Sequence, residues 1–500
     1  MQDLDVIVVG SGSAGGALAG SLTAQSNKRV LVLEAGPVYR SLKDMPEPLL
    51  RPGQMLGGSL VNDNNWGYPA DLGPGNHRAY PRGRGLGGSS SINGCYWIRG
   101  TREDFDGWAR AGNTGWSYDD VLPYFIRGES DQDFDGSFHG SEGAIPVRRE
   151  PLDRAPEFIE AFTASARLMG FPSDPDKNLP DTDGVGPVPM NIRHDLRIGS
   201  ALGYLLPAMS RSNFQIIGDA PVQRVLFEGR RAVGVEANID GQVKSFRAKE
   251  IVLAAGTFRT PQLLMLSGVG PANHLRQHGI NVLQDLPGVG QNMQDHPMVT
   301  APWTADIDVV MDPCRGVLTS ALHGNAEGAE FEVLPFMLGS AHTPGAWDMR
   351  VVNMQAQSRG SVSLRSANPH DVPDLKWNLL SEAADSARLR AAIRTTYEVF
   401  QGGPLRELNA RIAALGPADL ETDESLDSWM VGRISAGHAS STCRMGPDSD
   451  TQAVVDHELR VHGLEGLRIV DTSVFPTITS RGPHATSMMI GERLADLLLT

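Results

Sequence analysis

The chain has 500 residues, 40% of them hydrophobic, which is too long for one small domain and enough for a large core, so two domains are expected. A formal net charge of −15, with no run of five or more like charges, argues against a surface for nucleic acid or anionic lipid. The three cysteines, Cys95, Cys314 and Cys443, suit neither a disulfide framework nor a zinc site with paired ligands and read as reduced thiols.

Asp5 to Val9 reads as a short buried strand, followed by a glycine turn, a helix over Ala14 to Ala24 and a second buried strand over Arg29 to Leu33. Together they make a β-α-β unit. The chain shows neither a basic, apolar leader nor an apolar segment near eighteen residues, so a cytoplasmic protein with no transmembrane segment is expected.

From Pro37 to about Ile98 the chain is rich in Gly, Pro, Asn and Ser and has little periodicity, the mark of a functional loop; Trp66 and Tyr68 within it are candidates for a cavity entrance. Glu157 to Met169 suits a helix; Phe214 to Gly218, Val222 to Phe227 and Ala232 to Asn238 suit strands. Ile251 to Ala255 is an apolar strand followed by a helix-like Pro261 to Ser267. Segment 297–436 changes character, with strands over Phe331 to Leu338, Val351 to Gln355 and Ser361 to Leu364 and a long helix over Ala383 to Phe400. Leu467 to Val470 is the last strand and Met488 to Leu499 the last helix. The expected organisation is one discontinuous domain of 1–150, 200–296 and 437–500, into which 151–199 and 297–436 insert a mixed sheet-and-helix domain.

Gly10-Ser11-Gly12-Ser13-Ala14-Gly15 stands between the first strand and helix, and Glu34 ends the second strand. In that setting the glycines bring bare backbone to a pyrophosphate at the helix amino terminus, and the acidic residue about twenty positions on accepts from ribose hydroxyls. A lone glycine fingerprint is weak; its strand, helix and acid make it a dinucleotide site, without separating FAD from NAD. A second small-residue run, Gly83-Arg84-Gly85-Leu86-Gly87-Gly88-Ser89-Ser90-Ser91-Ile92-Asn93-Gly94, also presents bare backbone, although on its own it reads equally as a flexible loop.

This second run, with the later Phe105 and Trp108, resembles the first signature of the glucose–methanol–choline (GMC) oxidoreductases. The second signature matches over 256–270, and further family blocks match over 287–296, 437–446 and 468–476. The resemblance implies an α/β fold: a Rossmann-like FAD-binding domain with an interleaved α+β substrate-binding domain. It implies that Gly10, Gly12, Ser13, Gly15 and Glu34 hold the adenosine and pyrophosphate, that Arg84, Gly88, Ser89 and Asn93 line the flavin, that Val222 touches the adenine, and that Asp471 and Thr472 face the rest of the cofactor. Relatives with covalently attached FAD carry a histidine where this chain has Ile92, so the FAD is expected to be non-covalent.

By the same resemblance His438, in the 437–446 block, faces the flavin, and His484, in Arg481-Gly482-Pro483-His484, is the second catalytic position. Removing hydride from an alcohol carbon requires that the hydroxyl proton be accepted at the same time; one imidazole can take it and a second group can fix the oxygen. His438 is assigned as base and His484 as partner, with the roles exchangeable. Most of the 13 histidines are expected to be structural or surface residues, and Cys443, though near His438 in sequence, reads as a buried thiol rather than a nucleophile. Trp97 and Trp347 either frame a substrate pocket or simply pack.

The expected function is oxidation of a small-molecule alcohol, with oxygen or a quinone or other carrier as electron acceptor; no second glycine fingerprint supports a separate NAD domain. The alternatives are a non-redox, FAD-containing lyase of the hydroxynitrile lyase type and a flavin-binding protein that has lost catalysis. A quaternary ammonium substrate would want a desolvated carboxylate in an aromatic cage; Glu327, Glu330 and Glu332 lie in the variable domain, but no spacing ties them to one.

Overall fold

The computed structural model describes residues 4–53, 62–73, 76–150, 156–307, 320–326, 329–339 and 346–499. The sequence's first strand, helix and second strand form as β1 (Leu4–Val9), α1 (Ser13–Gln25) and β2 (Val30–Leu33). The two strands are almost wholly buried apolar runs, as a sheet covered on both faces demands. The Gly- and Pro-rich stretch that follows is not all loop: Tyr68–Asp71 (β3) and His77–Tyr80 (β4) pair as an antiparallel hairpin. Too few residues alternate there for the pattern to show in sequence.

Further along come helix α2 (Glu157–Leu168), β5 (Gly184–Pro187) and strands β6 (Phe214–Ile217), β7 (Val222–Glu228), β8 (Arg231–Ile239) and β9 (Gln242–Leu253). Strand β9 starts well before the expected Ile251, because its first half is a half-exposed hairpin arm paired with β8 and only its second half enters the buried sheet beside β1. Helix α3 (Gly256–Leu266) begins before Pro261, which sits in its second turn.

The second region contributes β10 (Met298–Thr304), β11 (Ser320–Ala326), β12 (Ala329–Gly339), β13 (Trp347–Asn353), α4 (Ala383–Gln401), β14 (Arg411–Ile412) and β15 (Ile434–Ser435). The chain closes with β16 (Leu467–Ile469) and α5 (His484–Leu497). Helix α5 starts at His484 rather than at Met488, since Pro483 precedes it without a side-chain cap that would mark its start.

Two seven-stranded sheets organise these elements. The first has the order β6-β2-β1-β9-β8-β7, with β16 also on β9; the pairs around β1 and β2 are parallel, and α1 packs against α5 beside them. The second is antiparallel throughout, in the order β14-β10-β13-β12-β11-β5, with β15 also on β10. Its back face carries Val299, Ala301, Trp303, Val333, Met349 and Val351, which form a core with α2 and α4. Residues one step along each strand point the other way. That front face, with Met298, Thr300, Glu332, Leu334, Phe336, Arg350 and Val352, roofs a cavity whose floor is the carboxyl end of the parallel sheet. Among the described residues, no helix is long and apolar enough to cross a membrane.

Candidate active site

The cavity has a volume of about 660 Å³, within the ~300–1,000 Å³ of small-molecule and cofactor sites. Gly10, Gly12, Ser13, Glu34, Arg84, Gly88, Ser89, Asn93, Val222, Asp471, Thr472, His438 and His484 all line it, drawn from positions spread over the whole chain. Gly15 alone of the sequence-predicted site residues does not. A Cβ there would lie 2.3 Å from the Gly10 carbonyl oxygen and 2.8 Å from the Ala254 side chain, so its role is to let α1 press onto the sheet. Gly10 turns the chain at φ +106°, with the Ala254 carbonyl oxygen 2.4 Å from where a Cβ would stand. Gly12 has nothing within 4 Å of that position and leaves the floor open at the amino terminus of α1. Bare backbone donors beside a helix amino terminus suit a diphosphate, so the residues present fit the expected dinucleotide.

Glu34 is buried and does more than face a ligand. Its carboxylate accepts from Ser11 N (2.9 Å), Ser11 Oγ (2.6 Å), Gly36 N (3.0 Å) and Gly85 N (3.0 Å), tying the two glycine runs into one surface. Arg197, also buried, donates to the carbonyls of Ser91 and Asn93 and so fixes the second run from behind. Asp471 accepts from Gly256 N and Thr260 Oγ1 and anchors the start of α3. Ile92 is buried at the cavity wall and offers no atom for a covalent bond.

At the junction of floor and roof stands His438. Its Nδ1 lies 2.9 Å from Nδ1 of His296, whose Nε2 lies 2.9 Å from the Thr479 carbonyl oxygen. A carbonyl only accepts, so the network assigns the proton on His296 to Nε2. Burial pushes His296 down to about 4, so it is neutral at pH 7 and its Nδ1 is bare. Nδ1 of His438 must then carry a proton and donate it to His296. His438 is itself held well below the ordinary imidazole range, by burial first, then by competition with the His296 ring for a proton and by the nearby Arg82 and Arg350 charges. It is therefore neutral with Nε2 unprotonated, which is the form a base requires.

The backbone around His438 is equally fixed. Buried Asp295 accepts from the amides of His296 (2.8 Å), Gly437 (3.1 Å) and His438 (2.7 Å) and from the Tyr80 hydroxyl (2.6 Å). The Tyr80 oxygen accepts from Ala439 N and Arg82 Nη2. Neither His296 nor Tyr80 was found from sequence. His296 lies in a matched block, but its partner is 142 residues away in the chain.

His484 opens α5 on the same cavity. A methyl group placed on Gly482 would lie 4.0 Å from His438 Nε2, so the segment leading to His484 passes directly beside the base. Nδ1 of His484 is 3.4 Å from Ser13 Oγ, while Nε2 is buried with no hydrogen-bond partner. Burial pushes this imidazole down to about 4. Trp97 meets it edge-on, with centroids 5.4 Å apart, and donates from Nε1 to Glu129 at 3.0 Å.

Trp66 and Tyr68 line the cavity, whereas Trp347 tilts against Trp303, 4.7 Å between centroids, on the far face of the roof and is no part of the site. Cys443 is buried, and its surroundings push the thiol well above its ordinary range, so it packs rather than reacts. Glu332 faces the cavity, while Cys314 and Glu327 lie outside the described residues.

Comparison with known proteins gives a consistent picture. Residues 4–298 and 356–491 match the two family models described as GMC oxidoreductase. The chain is 39% identical to an uncharacterized GMC-type oxidoreductase from the thcA 5′ region of Rhodococcus erythropolis, covering 99% of this chain and 98% of that one. It is 36% identical to an oxygen-dependent choline dehydrogenase of Brucella suis, covering 100% and 96%. Among solved structures, pyridoxine 4-oxidase from Mesorbium loti superposes with a TM-score of 0.91 at 27% identity, covering 99% of both chains.

Proposed function

The chain belongs to the GMC oxidoreductase family, and from that premise we propose that His438 is the base and His484 the oxygen-holding partner in the oxidation of an alcohol. Enzymes of this family bind FAD and oxidise alcohols with it, and the cavity here has the glycine floor that such a cofactor needs. When bound, FAD supplies the hydride acceptor at its N5 atom. The observation that carries the assignment is the His438–His296–Thr479 chain of hydrogen bonds, which leaves Nε2 of His438 bare beside the segment leading to His484.

In the reaction the carbinol C–H bond breaks with its electron pair, the hydroxyl proton passes to His438 Nε2, and a carbonyl compound is released. His484 Nε2, unpartnered in the cavity wall, holds the substrate oxygen. The electrons would pass on from the bound cofactor to oxygen or to a quinone or other carrier.

The same reading assigns Gly10, Gly12, Ser13 and Glu34 to the adenosine and diphosphate, Arg84, Gly88, Ser89 and Asn93 to the flavin, Val222 to the adenine, and Asp471 and Thr472 to the rest of the cofactor. It divides the chain into a cofactor domain of 1–150, 200–296 and 437–500 and a substrate domain of 151–199 and 297–436. A cytoplasmic location is supported by the free thiols of Cys95 and Cys443.

The test is the visible spectrum of the purified holoenzyme under nitrogen with a panel of choline and of primary, secondary, aromatic and sugar alcohols, followed by air. Bleaching by one class identifies redox turnover, and prompt recolouring in air identifies an oxidase. A bound flavin that no alcohol bleaches would overturn the redox reading in favour of the lyase.

A further inference from the structure

In a chain of net charge −15, five arginines line one cavity: Arg78, Arg82, Arg84, Arg259 and Arg350. Among the described residues none of the five makes an ion pair. Four are otherwise occupied. Arg78 donates to Asn76 and the Gly432 carbonyl, Arg82 to Tyr80 and the Gly437 carbonyl, Arg84 to the Ala35 carbonyl, and Arg259 to Gln262 and the Asp371 carbonyl.

Arg350 is different. Its Nη1 reaches only the Met298 sulfur, at 4.0 Å, and its Nε is buried with no hydrogen-bond partner. The guanidinium lies 4.9 Å over the Phe336 ring, which holds its plane in the cavity roof. In the sheet register Arg350 stands opposite Thr300 on one side and Leu334 on the other, one row outward from Met298 and Val352. Met298 meets the segment of the base: its methyl lies 3.8 Å from where a Gly437 Cβ would be.

Two carboxylates share the roof, and neither is hydrogen-bonded to this guanidinium. Glu332 accepts from Tyr96 (3.0 Å) and is 2.6 Å from His323 Nε2, and burial pushes it up to about 7. Asp348, two residues before Arg350 on the same face, is near enough for its charge to act on the guanidinium but makes no ion pair with it, and its Oδ1 is buried without a partner. A half-buried guanidinium whose Nε is unpartnered and to which no carboxylate is bonded has donors to spare, and its fork matches a carboxylate or phosphate.

Building on the alcohol-oxidising reading above, we propose that the substrate is an anionic alcohol whose carboxylate or phosphate pairs with Arg350 while its carbinol lies between His438 and His484. Arg350 is then a specificity-determining residue, and a cationic alcohol such as choline is disfavoured at this position.

The experiment compares matched alcohols on the holoenzyme by anaerobic flavin bleaching: 4-hydroxybutanoate, 3-hydroxypropyl phosphate, 1-butanol and choline. The anionic members are expected to have the higher kcat/KM, the better of the two showing whether the group is a carboxylate or a phosphate. In Arg350→Gln the ratio of anionic to neutral kcat/KM falls about 10- to 100-fold, the size of a lost charged hydrogen bond, and Arg350→Lys keeps part of it. Equal use of butanol or choline by the wild type, or a preference unchanged in Arg350→Gln, would overturn the proposal. Should no alcohol bleach the flavin, the redox reading fails, and calorimetric binding of butanoate still decides Arg350: binding weakened in the variant supports it, equal binding overturns it.

Discussion

The floor and the roof of the cavity are built by different means. The floor is backbone: glycine turns at the ends of parallel strands, where Gly10, Gly12 and Gly15 serve respectively as a left-handed turn, an open approach and a helix-packing contact. The roof is side chain: every second residue of antiparallel strands faces the cavity while its neighbours form the core against α2 and α4. The floor can therefore hold one kind of ligand and little else, whereas single substitutions retune the roof without disturbing the core behind it.

The most damaging way to test that contrast is at the floor. Gly10→Val places branched carbons against the Ala254 carbonyl at a left-handed φ, so the flavin-to-protein ratio of the purified variant is expected to fall close to zero. Flavin retained at the wild-type ratio would mean that the turn is not the cofactor's cradle.

At the seam, His296→Phe removes the acceptor that fixes the His438 tautomer. Anaerobic flavin reduction is expected to slow by about 10²-fold or more, as for other groups that hold a catalytic imidazole. His296→Asn, whose side-chain oxygen can accept from Nδ1, should recover part of the rate, a rescue that a purely structural role would not show.

Behind the roof, Trp303→Ala opens a cavity under a fully buried ring stacked 3.6 Å from Phe158. It should cost about 3–5 kcal/mol of stability in a denaturant titration while leaving the ranking of alcohol substrates as it is. A changed ranking would show that the two faces of the roof are coupled.

The mildest effect is on acid stability. His296 and His484 are held at about 4 in the folded protein, against an ordinary value near 6.5. Their neutral burial stabilises the fold fully above pH ~6.5, and that contribution is lost as pH falls from there towards 4. The thermal midpoint should decline over this window, and less steeply in His296→Phe.

The same contrast explains what the sequence made legible. The first strand, glycine turn, helix and Glu34 are contiguous, and their spacing alone marks the floor. On the roof strands polar residues do alternate with apolar ones, Asp348 and Arg350 against Met349 and Val351, but such a pattern reads equally as a face turned to water and does not announce a cavity. Arg350 therefore had no visible role, Glu332 was noticed but could not be tied to a site, and Trp347, whose type suggested a pocket, proved to pack on the other side. His296 stood in a matched block but acquires meaning only from a contact made by the fold, as does Tyr80, which the hairpin β3–β4 carries to Asp295.

Catalysis turns on the bare Nε2 of His438, and the most direct test is single-turnover flavin reduction under nitrogen by wild type and His438→Ala, with the alcohol that bleaches the wild type best. The predicted result is an unchanged flavin content and reduction slowed by ~10²–10⁴-fold, the contribution of a positioned base. Reduction at the wild-type rate in the variant would contradict the assignment.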